Sequence, residues 1–275
     1  MSEQSKGTGW YLYGLIDTYP PTPTFSGSAD VRCIRFRDMA ALVSEVSLDE
    51  FDESRLPERL NDPKWLEGRL RHHEYVLEAF MRCGTVIPMR FATIFKTEER
   101  LSEHLLALYD TLRELLQKLR EKEEWGVKAF CDLRSIKASV EVEHERARQL
   151  KAQLAGQPPG TAYLMRKQLE DLLAQETDHR LACHLESIYQ RLSSLAHEAK
   201  LNLLTPHQLT NRKQEMVLNA VFLIEKTSVG NLAEAVRALR GEYCGYGFEF
   251  ELVGPFPPYN FSRLPEEATH ERRPA

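Results

Sequence analysis

The stretch that most limits what this chain can become lies near its end: Phe248-Glu-Phe-Glu-Leu-Val-Gly-Pro-Phe-Pro-Pro-Tyr-Asn-Phe261. Phe248, Phe250 and Leu252 alternate with Glu249, Glu251 and Val253, the period of a half-buried β-strand. The run then meets Gly254-Pro-Phe-Pro-Pro-Tyr259, and proline has no N–H to offer a ladder. A strand over Gly247–Val253 with an exit after it is therefore expected. Such a strand has to join a sheet laid down by earlier residues.

Those partners can be read upstream. From Trp125 the chain fits a βαββαβ, ferredoxin-like plan with strands Trp125–Cys131, a short one near Leu201–Leu204, Met216–Glu225 and Gly247–Val253. The spatial order would be 4-1-3-2, the last strand beside the first. The second helix is expected over about Leu232–Arg240, with a capping-box spacing at Asn231-x-x-Glu234 and Gly241 as its left-handed stop. In place of the first helix stands a long insertion. It reads as a helix from Ser135 to about Leu154, a break at Gly156-Gln-Pro-Pro-Gly160, and a helix from Thr161 to about Lys200, roughly 60 Å long. Leu181, Leu185, Ile188, Leu192, Leu195 and Ala199 follow heptad steps, so a helical hairpin of coiled-coil character is expected over 135–200.

The N-terminal part reads as strands first and helices second. Trp10–Ile16 is β-prone and ends at a loop with Pro20, Pro21 and Pro23; Val31–Phe36 and Ala40–Val46 flank Arg37-Asp38 as a hairpin would. Ser47-Leu-Asp-Glu50 has the spacing of a capping box opening a short helix. Asp62-Pro63 places an N-cap before a proline, opening a helix to about Arg82 with Leu66, Leu70, His73, Leu77 and Phe80 on one face. Val86–Phe95 is a further strand. Thr97 then caps a helix whose leucines 101, 105, 108, 112, 115 and 119 form a heptad seam.

The expected fold class is thus α+β: an N-terminal mixed α/β domain at 1–123, a modified ferredoxin-like domain at 124–264, and a flexible tail at 265–275. A chain of 275 residues with 42% apolar and 28% charged side chains has the balance of a soluble globular protein. No apolar run is long enough for a bilayer, and the N-terminus has no apolar export signal, so no membrane is expected. Five scattered cysteines without a C-x-x-C suit reduced thiols in a cytoplasm. The net charge is −5, and the densest basic cluster, Arg32, Arg35 and Arg37, belongs to a short strand's solvated face, so no nucleic acid is expected either.

Enzymatic signatures do not assemble. Glu141-x-x-His144 and Glu176-x-x-His179 are half of a di-iron carboxylate pattern, but the other helices offer leucine and phenylalanine where two more glutamates are needed. His72-His73 and Cys183-His184 are neighbours whose side chains diverge on a helix; His73 lies on the apolar stripe as a core histidine with one hydrogen-bond partner. The glycines of Gly241-Glu-Tyr-Cys-Gly-Tyr-Gly247 follow a helix and precede a strand, the reverse of a phosphate cradle. No catalytic, cofactor-binding or metal residue is assigned.

Several separated segments, taken in order, resemble the gas vesicle protein GvpF/GvpL family. They are Tyr11-Leu-Tyr-Gly-Leu-Ile16, Trp65-Leu-Glu with His72-His73, Glu124-Trp-Gly-Val-Lys128, Gly160–Gln168 and the terminal Gly-Pro-Phe-Pro-Pro-Tyr; Val86-Ile-Pro-Met-Arg-Phe-Ala-Thr-Ile-Phe95 matches with Ala92 where the family usually has glycine. The resemblance implies an accessory or minor structural protein of the gas vesicle, not an enzyme. It implies as partners the hydrophobic shell subunit GvpA and other accessory gas vesicle proteins. A soluble chain that covers an aggregation-prone subunit until assembly is physically sensible. The competing reading is a ferredoxin-like ligand-sensing or di-metal-binding protein unrelated to gas vesicles.

Overall fold

The computed structural model describes residues 7–19, 31–51, 56–206 and 212–264. The loop expected at Pro20, Pro21 and Pro23 and the tail expected from residue 265 lie outside them. The fold is α+β with two sheets. The chain divides into two compact units, Met1–Glu124 together with Phe256–Ala275, and Trp125–Pro255. The chain passes from the first unit to the second after Glu124, and Phe256–Leu264 group with the first unit. Side chains there explain why: Tyr259 donates to Glu74 at 2.8 Å, Asn260 donates twice to Glu124, and Phe261 is buried.

The first unit holds β1 (Thr8–Ile16), β2 (Arg32–Phe36), β3 (Met39–Ser47), β4 (Val86–Pro88) and β5 (Ile94–Phe95) in the order β2-β3-β1-β4, with β5 also on β1. Every residue from Tyr11 to Ile16 is buried, so the central strand is covered on both faces. The β2–β3 hairpin turns at Arg37-Asp38 as expected, Phe36 pairing with Met39. Its helices are α1 (Leu56–Leu60), α2 (Pro63–Met81), α3 (Glu98–Ala107) and α4 (Tyr109–Leu119). The Asp62 carboxylate accepts from the N–H groups of Lys64 and Trp65, with Pro63 at the first helical position.

Four expectations are corrected in this unit. Ser47–Glu50 forms a turn at the end of β3 and opens no helix there; the short helix among the described residues is Leu56–Leu60. The inward stripe of α2 is His73, Val76, Leu77 and Phe80 with Trp65 beside it, while Leu70 is 37% exposed. Val86–Phe95 is two strands: the chain turns between them at Arg90–Thr93, where Ala92 takes φ 62°, and Thr93 closes the turn onto the Arg90 carbonyl. The helix after Thr97 breaks at Leu108. The break shifts the buried register from Leu115 to Leu116, between Leu112 and Leu119.

The second sheet, formed mostly within Trp125–Pro255, holds β6 (Lys122–Cys131), β7 (Glu198–Leu201), β8 (Glu215–Glu225) and β9 (Phe248–Phe256) in the order β7-β8-β6-β9, so its last strand lies beside its first. Val127, Ala129, Phe222, Ile224, Phe248 and Phe250 from the sheet form one core with Ile136, Val140, Ile188, Leu192, Leu232 and Val236 from the helices. Those helices are α5 (Leu133–Glu143), α6 (Glu145–Leu154), α7 (Pro159–Ser193) and α8 (Val229–Tyr243).

The sequence reading is corrected here too. The first arm of the hairpin is two helices meeting at His144, both packed on α7. α7 has 35 residues, roughly 52 Å at the α-helical rise, and stops at Ser193. Leu195 therefore falls in the following turn, and Ala199 lies in β7 opposite Phe222. α8 begins at Val229, so Asn231 and Gly241 are inside it; the left-handed residue is Gly247, φ 80°, after a 3-10 turn. β9 continues through the cis Gly254–Pro255 peptide to Phe256, which an edge strand permits because one side of it makes no ladder bonds.

Candidate functional site

Side chains alternate along a strand, so Tyr11 and Tyr13 of β1 share one side, and α2 lays Arg69, His72 and His73 across it. The Tyr11 hydroxyl lies 2.9 Å from His73 Nδ1 and accepts the Ala92 N–H at 3.0 Å, while His73 Nε2 lies 3.2 Å from the Met89 carbonyl. A carbonyl only accepts, so Nε2 carries the ring proton and Tyr11 donates to Nδ1. Burial holds His73 neutral, its pKa pulled down to about 4, and the same burial raises that of Tyr11. The core histidine expected with one partner has two. Tyr13 shares a hydrogen bond with Ser44 at 3.0 Å.

Beside this network opens a pocket of about 290 Å³ lined by Tyr11, Tyr13, Ser44, Glu45, Val46, Ser47, Glu50, Phe51, Arg69, His72 and Phe91. One oxygen of Glu50 accepts from Trp65 Nε1 at 2.9 Å, from Arg69 Nε at 3.0 Å and from Arg69 Nη2. Both nitrogens of His73 are committed, and the tyrosine pKa values are raised rather than lowered. That network holds β1, α2 and the turn at Ala92 together, beside the pocket. The signal for it was Tyr11-x-Tyr13 on one strand face, with Trp65, Arg69 and His72 at helical spacing i, i+4, i+7. No motif names that combination.

The residues weighed for metal are employed otherwise. Glu141 pairs with Lys151; His144 caps α6 through Nδ1 while its Nε2 stands 3.8 Å from Glu176; His179 stands 3.8 Å from Cys183. Among the described residues no three His, Cys, Asp or Glu side chains gather as a metal set. His184 sits among the rings of Tyr243, Tyr246 and Phe248, with centroids at 5.2, 4.8 and 6.0 Å.

The second feature is an edge. Among the described residues β7 pairs only with β8, from Glu198 opposite Leu223 to Leu201 opposite Ala220. The chain stays extended beyond it, because the Asn202 N–H donates to the Asn219 carbonyl and the Asn219 side chain donates to the Leu203 carbonyl, each at 2.8 Å. Leu201, Leu203 and Leu204 are 61%, 92% and 52% exposed. Glu198 and Lys200 pair with each other at 3.2 Å.

The family described as gas vesicle synthesis protein GvpL/GvpF matches residues 9–263. The chain belongs to the GvpL/GvpF family. It is 27% identical to gas vesicle protein L of Streptomyces sp. (strain CB03234) over 90% of this chain and 89% of the relative. It is 31% identical to gas vesicle protein F of Nostoc sp. (strain PCC 7120), over 79% and 83%. The crystal structure of GvpF from Anabaena sp. PCC7120 superposes with a TM-score of 0.72 at 25% identity, over 94% of this chain and 99% of that one. That of GvpF from Microcystis aeruginosa shares the fold, with a TM-score of 0.63 at 19% identity over 93% and 99%. An accessory role in gas vesicles follows from GvpL/GvpF membership. Among the described residues no helix is long and apolar enough to cross a membrane.

Proposed function

We propose that this GvpL/GvpF protein binds the hydrophobic shell subunit GvpA and limits its aggregation while the vesicle wall nucleates, working in the cytoplasm and at the vesicle with other accessory gas vesicle proteins. It assigns no residue a catalytic, cofactor or metal role. The observation that carries the reading is the β7 edge with its exposed leucines. Proteins ordinarily blunt sheet edges with charge. The edge strand β2 carries Arg32 and Arg35, and β9 carries Glu249 and Glu251 tied to Arg212. On β7 Glu198 pairs with Lys200, and the leucines at and beyond its end stand exposed, which suits an added apolar strand held by main-chain bonds and side-chain contacts. The same reading treats Trp125–Pro255 as an enlarged ferredoxin-like βαββαβ module; its element order and strand order support that.

Light scattering of purified GvpA tests the proposal. At equimolar ratio the protein is expected to slow aggregation several-fold, and Leu201→Lys with Leu203→Glu is expected to remove most of that effect at unchanged melting temperature. An aggregation curve untouched by the native protein would sink the proposal. An intact effect in the double variant would move the docking surface away from β7.

A further inference from the structure

We infer that the pocket between β1, β3 and α2 is a binding site for a small uncharged ligand that carries a planar carboxamide on an aromatic ring. It is separate from the β7 edge and does not depend on the shell-binding reading. The volume, about 290 Å³, is at the lower end of ligand pockets and matches a single-ring molecule. Tyr11, Tyr13, Phe51 and Phe91 supply ring walls, with Tyr11 edge-on to Phe51 and Phe91 at centroid distances of 5.8 and 6.3 Å.

The polar groups define the rest of the ligand. Arg69 gives Nε and Nη2 to one oxygen of Glu50, so its Nη1 and the second Glu50 oxygen make no hydrogen bond among the described residues. One ion pair thus offers a donor and an acceptor together. A carboxamide answers both, its carbonyl taking the Arg69 N–H and its NH2 meeting the Glu50 oxygen. His72, also in the wall, has a buried Nε2 with no partner among the described residues. The charges are already matched, Arg69 with Glu50 and Arg32 with Glu45, so an ionic ligand would be desolvated with no free counter-charge.

Titration of the full chain, followed by NMR, with benzamide, benzoate, benzamidine and acetamide separates these elements. Benzamide is expected to bind saturably with a Kd on the order of 1 mM or tighter, as its size allows. Benzoate, benzamidine and acetamide are each expected to bind at least ~10-fold more weakly, the loss of one matched polar contact or of the ring. Glu50→Gln keeps an oxygen for Trp65 but replaces the free acceptor; it and Arg69→Met are each expected to weaken benzamide ~5-fold or more, while Leu203→Ser does not. Glu50→Gln carries the test should Arg69→Met melt early. Equal or tighter binding of either ion or of acetamide, no saturable binding of benzamide, or undiminished binding in folded Glu50→Gln would each overturn the inference.

Discussion

The Tyr11 hydroxyl donates to Nδ1 of His73 across 2.9 Å, tying the central strand to α2 over 62 positions of sequence. That bond is the middle of a one-way chain, from the Ala92 N–H to Tyr11, from Tyr11 to His73, and from His73 to the Met89 carbonyl. It fixes the ring tautomer and the turn in which Ala92 takes its positive φ.

Tyr11→Phe is accordingly expected to be costly. It strands the buried His73 Nδ1 and takes the acceptor from the Ala92 N–H, at about 1–3 kcal/mol for each group left unsatisfied. Urea denaturation at neutral pH reads this directly. A loss under about 0.5 kcal/mol would mean that the network does not hold this unit together.

Acid should weaken the fold in a defined window. The folded pKa of His73 is about 4 against an ordinary 6.5, and the cause is burial. Above pH 6.5 both folded and unfolded chains hold it neutral, and its contribution is whole. As pH falls from about 6.5 to about 4, the unfolded chain takes up a proton that the folded chain refuses, which removes about 3 kcal/mol in all. His72 and His184, also depressed by burial, act in the same direction. Denaturation midpoints at pH 7 and pH 5 should differ by about 2 kcal/mol of stability from His73 alone; a flat profile would contradict its neutral, doubly bonded state.

At Gly247 the backbone sits at φ 80°, and an added Cβ would stand 2.7 Å from Cβ and Oγ of Ser135. Gly247→Ala should therefore cost about 1–3 kcal/mol through strain and crowding. Adding Ser135→Gly should recover only the crowding part. Melting temperatures of the single and double variants separate the two causes, and full recovery in the double variant would show that backbone strain is negligible there.

Truncation after Tyr243 should damage both units. It removes β9, whose Phe248 and Phe250 are each 4% exposed, and leaves β6 as an open edge. It also removes Tyr259 from Glu74 and Asn260 from Glu124, contacts inside the first unit. Circular dichroism melts and limited proteolysis should show residues 7–124 destabilised as well. Native-like resistance of that fragment would show that the returning segment adds little.

The local code of this chain was legible wherever one residue type has one conformational use. Asp62-Pro63 opens α2, Thr97 opens α3, Arg37-Asp38 turns the first hairpin, and the alternation after Phe248 makes β9. The α+β class and the family resemblance follow from such segments taken in order. Boundaries were misread where two signals competed. The leucines around Leu108 keep a helical period through a break, so periodicity alone could not show it. Gly241 looks like a helix stop, yet α8 runs through it, and the left-handed position is Gly247, where the chain leaves the 3-10 turn that follows α8.

By itself, then, the sequence determined the kinds of element and most of their starts, since propensity, capping and alternation act within a few residues, and segments taken in order pointed to the family. Only the tertiary structure decided the return of Phe256–Leu264 to the first unit, the Tyr11–His73–Met89 chain, the pocket built on Arg69 and Glu50, and the exposure of Leu203 beyond β7. Each of these joins or separates residues far apart in the chain. Burial and hydrogen bonding between such residues depend on how whole elements pack, and no local pattern encodes that.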